Sequence, residues 1–159
     1  MAALFVIPAV GQATPRSTGR KLQVTRFQIA PSVAFPETWV DTMMAETVDE
    51  LTRIKKFDEI SLITNAATPS SRGVNLALTG TVTKFQPGSK AARFWIGMGA
   101  GKTKVVAAIK LVDLATGKVL LERDVDGSVI KGNWGGGDSS GATRGVAVEI
   151  AKRTKALFP

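Results

Sequence analysis

Apolar positions along this chain change period more than once, and the changes divide it into elements. Leu22 and Val24 alternate with polar neighbours, and Phe27 and Ile29 continue in the opposite phase. That pattern predicts a strand over residues 22–29 with a bulge near Arg26. After a loop from Pro31 to Pro36, Val40, Met44, Val48, Leu51 and Ile54 recur at three/four spacing, which predicts a helix from about Glu37 to Lys55. Pro36 suits a helix start, Glu37 and Asp41 suit its positive end, and Lys55 and Lys56 suit the negative one. Phe57 to Thr64 is a second strand candidate, with Ile60 and Leu62 on one face.

A turn-rich connection over residues 65–73 leads to a segment of period two. Val74, Leu76, Leu78, Gly80 and Val82 face one way, and Asn75, Ala77, Thr79, Thr81 and Thr83 the other. This describes a strand with one buried and one polar face. Strands over 103–114 and 119–125 flank a hairpin turn at Asp113–Lys118, with Gly117 available for positive φ. Residues 132–141 read as a loop. The last helix runs from about Ala142 to Leu157, its stripe formed by Val146, Ile150 and Leu157 with Ala147 and Ala151 beside it. The order is strand–helix–strand, then a three-strand meander, then a C-terminal helix. The fold class is α+β, with the helices packed on one mainly antiparallel sheet.

The 159 residues amount to one domain, assigned here to 21–159. Residues 1–20 are set apart as a signal remnant or linker. Ala2 to Val10 is apolar and is followed by Gly-Gln-Ala at 11–13, like a signal-peptidase site, yet it lacks a positive start and is too short to span a bilayer. Two readings stand: the stump of a secretory signal, which places the mature chain outside the cytoplasm, or a short first strand in a cytoplasmic protein.

Charge is uneven. Residues 1–66 hold seven basic and seven acidic side chains, so the remaining 14 basic and 6 acidic groups supply the whole net +8. An anionic partner suggests itself, such as a polymer, lipid head groups or nucleic acid. Basic residues scattered for solubility are the plainer reading. The chain has no His, Cys or Tyr. Ser-His-Asp and Cys-His catalysis, His/Cys zinc sites, disulfides and a lipid-bearing Cys are thereby excluded.

Gly97 to Thr103 (GMGAGKT) invites a phosphate-loop reading, but Ile96 stands where the first Gly is required and the sequence beyond is strand-like rather than helical. The glycines read better as backbone devices. Just before them, Arg93, Phe94, Trp95 and Ile96 place three large apolar side chains together. They either fold into the core or, with Met98 and Lys102, form a docking patch. Trp134, between Lys131 and Arg144, either covers a core edge or stacks on a partner. Glu122, Asp124 and Asp126 share one face of the second hairpin strand, a spacing open to acid–base work but with no cleft argued around it. Lys152, Arg153 and Lys155 suit the end of the last helix. No cofactor or metal is expected, and no enzymatic activity.

Three stretches together carry a family resemblance: Leu76 to Phe85, the arm Arg93 to Lys102, and Val105 to Val119 with its Asp113-Leu-Ala-Thr-Gly-Lys turn. They resemble a bacterial family of undetermined function, domain of unknown function 4410. The resemblance extends over roughly residues 20–158. It implies an exported protein with a fold similar to the curli-secretion channel subunit, the penicillin-binding-protein activator lipoprotein and the periplasmic ring protein of exopolysaccharide secretion. Those are assembly or regulatory parts of the envelope, and several form rings. The resemblance thus implies a non-enzymatic structural subunit at the periplasmic side of the outer membrane, forming a homo-oligomer or joining an envelope complex. Unlike lipid-anchored members, this chain has no lipobox Cys. A basic nucleic-acid-binding domain is the alternative, although the cations form no run and the aromatics do not recur as a stacking platform. A hydrolase or transferase using the hairpin carboxylates is the third.

Overall fold

A computed structural model of the chain describes residues 19–64, 73–87, 103–128 and 140–159. The elements in chain order are β1 (Lys21–Thr25), β2 (Gln28–Ile29), α1 (Glu37–Arg53), β3 (Glu59–Ile63), β4 (Leu76–Gln86), β5 (Lys104–Asp113), β6 (Val119–Ser128) and α2 (Ser140–Leu157). The strands form one sheet in the order β3-β1-β4-β5-β6, with β2 alongside β4. The strand β1 is parallel to both β3 and β4, whereas β4, β5 and β6 form an antiparallel meander. The long meander makes the sheet mostly antiparallel, and both helices pack on one of its faces.

The phase change in the first strand has a physical cause. The ladder breaks at Arg26–Phe27, where the Arg26 N–H donates to the Ile63 carbonyl at 2.8 Å. Leu22, Val24 and Phe27 thereby all turn into the core. The Phe27 ring lies over Gly80 of β4, and a Cβ at Gly80 would stand 2.7–2.8 Å from three ring carbons. Glycine is needed there for close packing.

Pro36 is the N-cap of α1, and the Trp39 N–H donates to its carbonyl at 3.0 Å. Val40, Met43, Met44, Thr47 and Leu51 are buried, with Val48 and Ile54 packed at the margin. The buried Thr47 hydroxyl donates to the Met43 carbonyl at 2.7 Å, which satisfies it within the helix. The helix ends at Arg53 rather than Lys55. Lys55 adopts a left-handed φ of 52°, the usual geometry just past a helix end.

A second irregularity, between Val82 and Lys84, lets Phe85 turn to the core face opposite Val105. Phe85, Phe35 and Trp39 then form an edge-to-face trio with centroids 5.1–5.7 Å apart. The Asp113–Lys118 turn closes as its residues require. Asp113 Oδ1 accepts from the amides of Ala115 and Thr116, and Gly117 takes φ 70°.

Small residues let α2 lie against β6. Gly145 and Gly127 meet backbone to backbone, and a Cβ at Gly127 would collide with the Ala142 carbonyl. Two expected core positions move out. Leu157 is 37% exposed, because Thr154 one turn earlier takes the buried place and Phe158 packs on Phe57 at 5.7 Å. Leu62 is 42% exposed, because β3 is the last strand of the sheet and the packed position there is Ile60.

Candidate functional site

The face of the sheet away from α1 and α2 is polar by alternation. Along β5, Val105, Ala107, Ile109 and Leu111 point to the helices, so Lys104, Val106, Ala108 and Lys110 point to the other side. Register then places Glu122, Asp124 and Asp126 of β6 on that same open face, opposite Lys110, Ala108 and Val106. Lys110 Nζ lies 3.5 Å from Glu122 Oε1, and Lys104 Nζ lies 3.4 Å from Asp126 Oδ2. Asp124 faces an alanine and makes no ion pair or hydrogen bond among the described residues. The expectation that these carboxylates share a face therefore holds, and each outer one has a lysine across the ladder.

Thr25, Thr79 and Thr81 continue this surface across β1 and β4. Together with Gln28, Lys110, Glu122 and Asp124 they line a trough of about 510 Å³, with Arg26 and Arg123 at its margin. Arg26 is committed elsewhere: its Nε is 2.9 Å from Asp41 and its Nη2 is 2.7 Å from Glu37. The hydrogen bond to Asp41, then that to Glu37, holds its guanidinium above the usual arginine value against the opposing effect of burial. Gln23, two residues along β1, is 1% exposed with neither amide atom hydrogen-bonded, and the Thr25 hydroxyl is unpaired as well. Buried polar groups of this kind are uncommon.

Chemically, the trough offers hydroxyls, an amide, the Lys110–Glu122 ion pair and the carboxylate of Asp124, unpaired among the described residues, which together make a hydrogen-bonding surface. Its threonine hydroxyls have no histidine to activate them, since the chain contains none. No group of three or more carboxylates among the described residues is placed to hold a metal ion. No helix among them is long and apolar enough to cross a membrane.

The residues singled out from sequence, Arg93, Phe94, Trp95, Ile96, Met98, Lys102 and Trp134, lie outside the described residues. The same is true of the segment 1–18. What is described is the pair of stems on either side of the arm: Gln86 of β4 lies opposite Lys104 of β5, beside the Phe35–Trp39–Phe85 trio. The trough was only half legible in the sequence. Alternation marked Thr79, Thr81 and the β6 carboxylates, but nothing local placed Thr25 and Gln28 beside them.

Solved structures resemble this fold at low sequence identity. The PelC dodecamer from Paraburkholderia phytofirmans superposes with a TM-score of 0.60 at 13% identity, covering 86% of this chain and 89% of its own. Protein XCC0632 from Xanthomonas campestris gives 0.59 at 13% identity, over 98% and 93% of the two chains. Lipoprotein GNA1162 from Neisseria meningitidis gives 0.53 at 18% identity, over 86% and 98%. At such identities these likenesses establish the fold alone. No curated protein matches the sequence. The profile of one family does match, over residues 34–133, which is 100 of the 159 residues. It spans α1, β3, the whole meander and the arm, so the chain belongs to the family described as domain of unknown function (DUF4410).

Proposed function

We propose that this chain is a non-enzymatic structural subunit of a bacterial envelope assembly, working through contacts with copies of itself or with other envelope proteins on the periplasmic side of the outer membrane. The observation that carries this reading is the likeness of fold, over most of both chains, to a PelC that crystallised as a dodecamer. The likeness to a lipoprotein of Neisseria meningitidis supports the envelope part. The trough fits this reading as a hydrogen-bonding surface of threonine hydroxyls, an amide and charged side chains that a partner can contact. Arg93, Phe94, Trp95 and Ile96 are, by their sequence, the first side chains to mutate at such a contact.

Fractionation of native cells followed by light scattering tests the proposal. A large, discrete species in the envelope fraction is the expected result. A monomer in the soluble cytoplasmic fraction overturns it and makes nucleic-acid binding, with a steep salt dependence, the next hypothesis to test.

A further inference from the structure

The two helices lie side by side in one layer but carry opposite charge. Helix α1 holds Glu37, Asp41, Glu46, Asp49 and Glu50 against a single Arg53, whereas α2 holds Arg144, Lys152, Arg153 and Lys155 against a single Glu149. Burial separates the side chains that face the sheet from those that face outward. On α1 the outward row includes Asp41, Ala45 and Asp49, all exposed. On α2 it includes Arg144, Val148 and Lys152, also exposed, with Val148 at 44%.

These rows match position for position. Each has its charges eight residues apart, about 12 Å along a helix at 1.5 Å per residue. Each has an apolar residue midway: a small one, Ala45, between two carboxylates, and a larger one, Val148, between two cations. An alanine flanked by longer side chains leaves a notch, and an exposed valine is a knob of suitable size.

Internal pairs do not occupy these charges fully. Asp49 pairs with Arg53 at 2.8 Å, Asp41 with Arg26 at 2.9 Å, Arg144 with Glu50 at 3.6 Å and Lys152 with Glu149 at 3.8 Å. The side chains of Asp41, Asp49, Arg144 and Lys152 are 58–71% exposed, a setting in which ion pairs are weak and exchange readily.

We infer that the Asp41–Ala45–Asp49 row of one copy docks on the Arg144–Val148–Lys152 row of the next, as a head-to-tail contact between two copies of this chain. The two patches differ, so the contact is heterologous and repeats around a ring or along a filament. The inference rests on the self-association proposed above and specifies its surface.

Charge reversal with rescue tests it. In low salt the wild type assembles, and the double variants Asp41→Lys/Asp49→Lys and Arg144→Glu/Lys152→Glu each associate about 100-fold more weakly by sedimentation. Mixing the two reversed proteins restores assembly as an alternating hetero-oligomer, because the native Arg144–Lys152 row of the first still meets the native Asp41–Asp49 row of the second, and the two reversed rows, opposite in sign to each other, pair at the next contact. Ala45→Gln, which fills the notch at an exposed position, weakens assembly without changing the melting temperature and covers the case in which Asp41→Lys disturbs Arg26. Wild-type assembly that all these variants leave unchanged overturns the interface and leaves the subunit reading standing. A wild type that stays monomeric at every concentration overturns both.

Discussion

The helix-covered face of the sheet and its open face are made by the same strands, alternate residue by alternate residue, yet they obey different rules. On the covered face Leu22, Val24, Leu78, Val82, Ile109 and Leu111 are at most 2% exposed and interlock with Val40, Met43, Met44 and Leu51 of α1. Volume is fixed there, and even a missing Cβ is used, at Gly80 under Phe27 and at Gly127 against α2. On the open face Thr79, Thr81, Lys110 and Glu122 line a trough, with Lys110 Nζ 3.5 Å from Glu122 Oε1. Shape is loosely specified on that side, while polarity and charge are tightly specified. Stability therefore resides mainly in the covered face, although Gln23 and Ala77, paired across β1 and β4, are buried on the other.

Substitutions can break or sharpen this contrast. The largest effect is expected at Gly127→Val, where backbone rather than a flexible side chain stands in the way. A loss of about 3 kcal/mol or more in urea unfolding is expected, and a normal midpoint would mean that α2 does not dock as described. Next is the adjacent pair Leu78 and Thr79. Leu78→Ala should cost about 3 kcal/mol, as buried leucines do, and Thr79→Ala about 0.5 kcal/mol or less. Equal costs in chemical denaturation would erase the distinction between the faces.

Gly80→Ala is expected to cost about 1–3 kcal/mol by pressing on the Phe27 ring. Combining it with Phe27→Leu should recover part of that loss, and strict additivity in the double-mutant cycle would show that the two do not touch. A smaller effect, about 1 kcal/mol, is expected for Arg26→Met at the seam between strands and helix. The pH dependence of that contribution has a definite sign. The folded guanidinium is held above its ordinary value, so its stabilisation is complete below that value and fades only as pH climbs through the raised one. Thermal melts at neutral and mildly alkaline pH should therefore show the same difference between Arg26→Met and wild type.

Local pattern was sufficient for the elements. Period two marked β4, β5 and β6, three/four spacing marked both helices, and the phase reversal at Arg26 correctly announced the break between β1 and β2. Gly117 and Asp113 specified their turn through φ and side-chain capping alone. Where expectation and structure part, the cause is long-range. Leu157 and Leu62 have the right spacing for burial, but a helix end and a terminal strand offer them no partner layer. Phe85 reads as out of phase until the irregularity beside Lys84 turns it inward.

The candidate surfaces divide along the same line. Charge type and position along α1 and α2 are written in the sequence, as is the run from Arg93 to Ile96. The neighbours of those residues are not. That β1 lies between β3 and β4, bringing Thr25 and Gln28 beside Thr79 and Thr81, depends on which strands pair in parallel across more than fifty residues of chain. Sequence by itself determined which residues are apolar, at what period, and where the backbone can turn, because these depend on neighbours within a few positions. Tertiary structure alone decided the strand order, the open face and the alignment of an acidic helix beside a basic one, because those depend on contacts that no local period encodes.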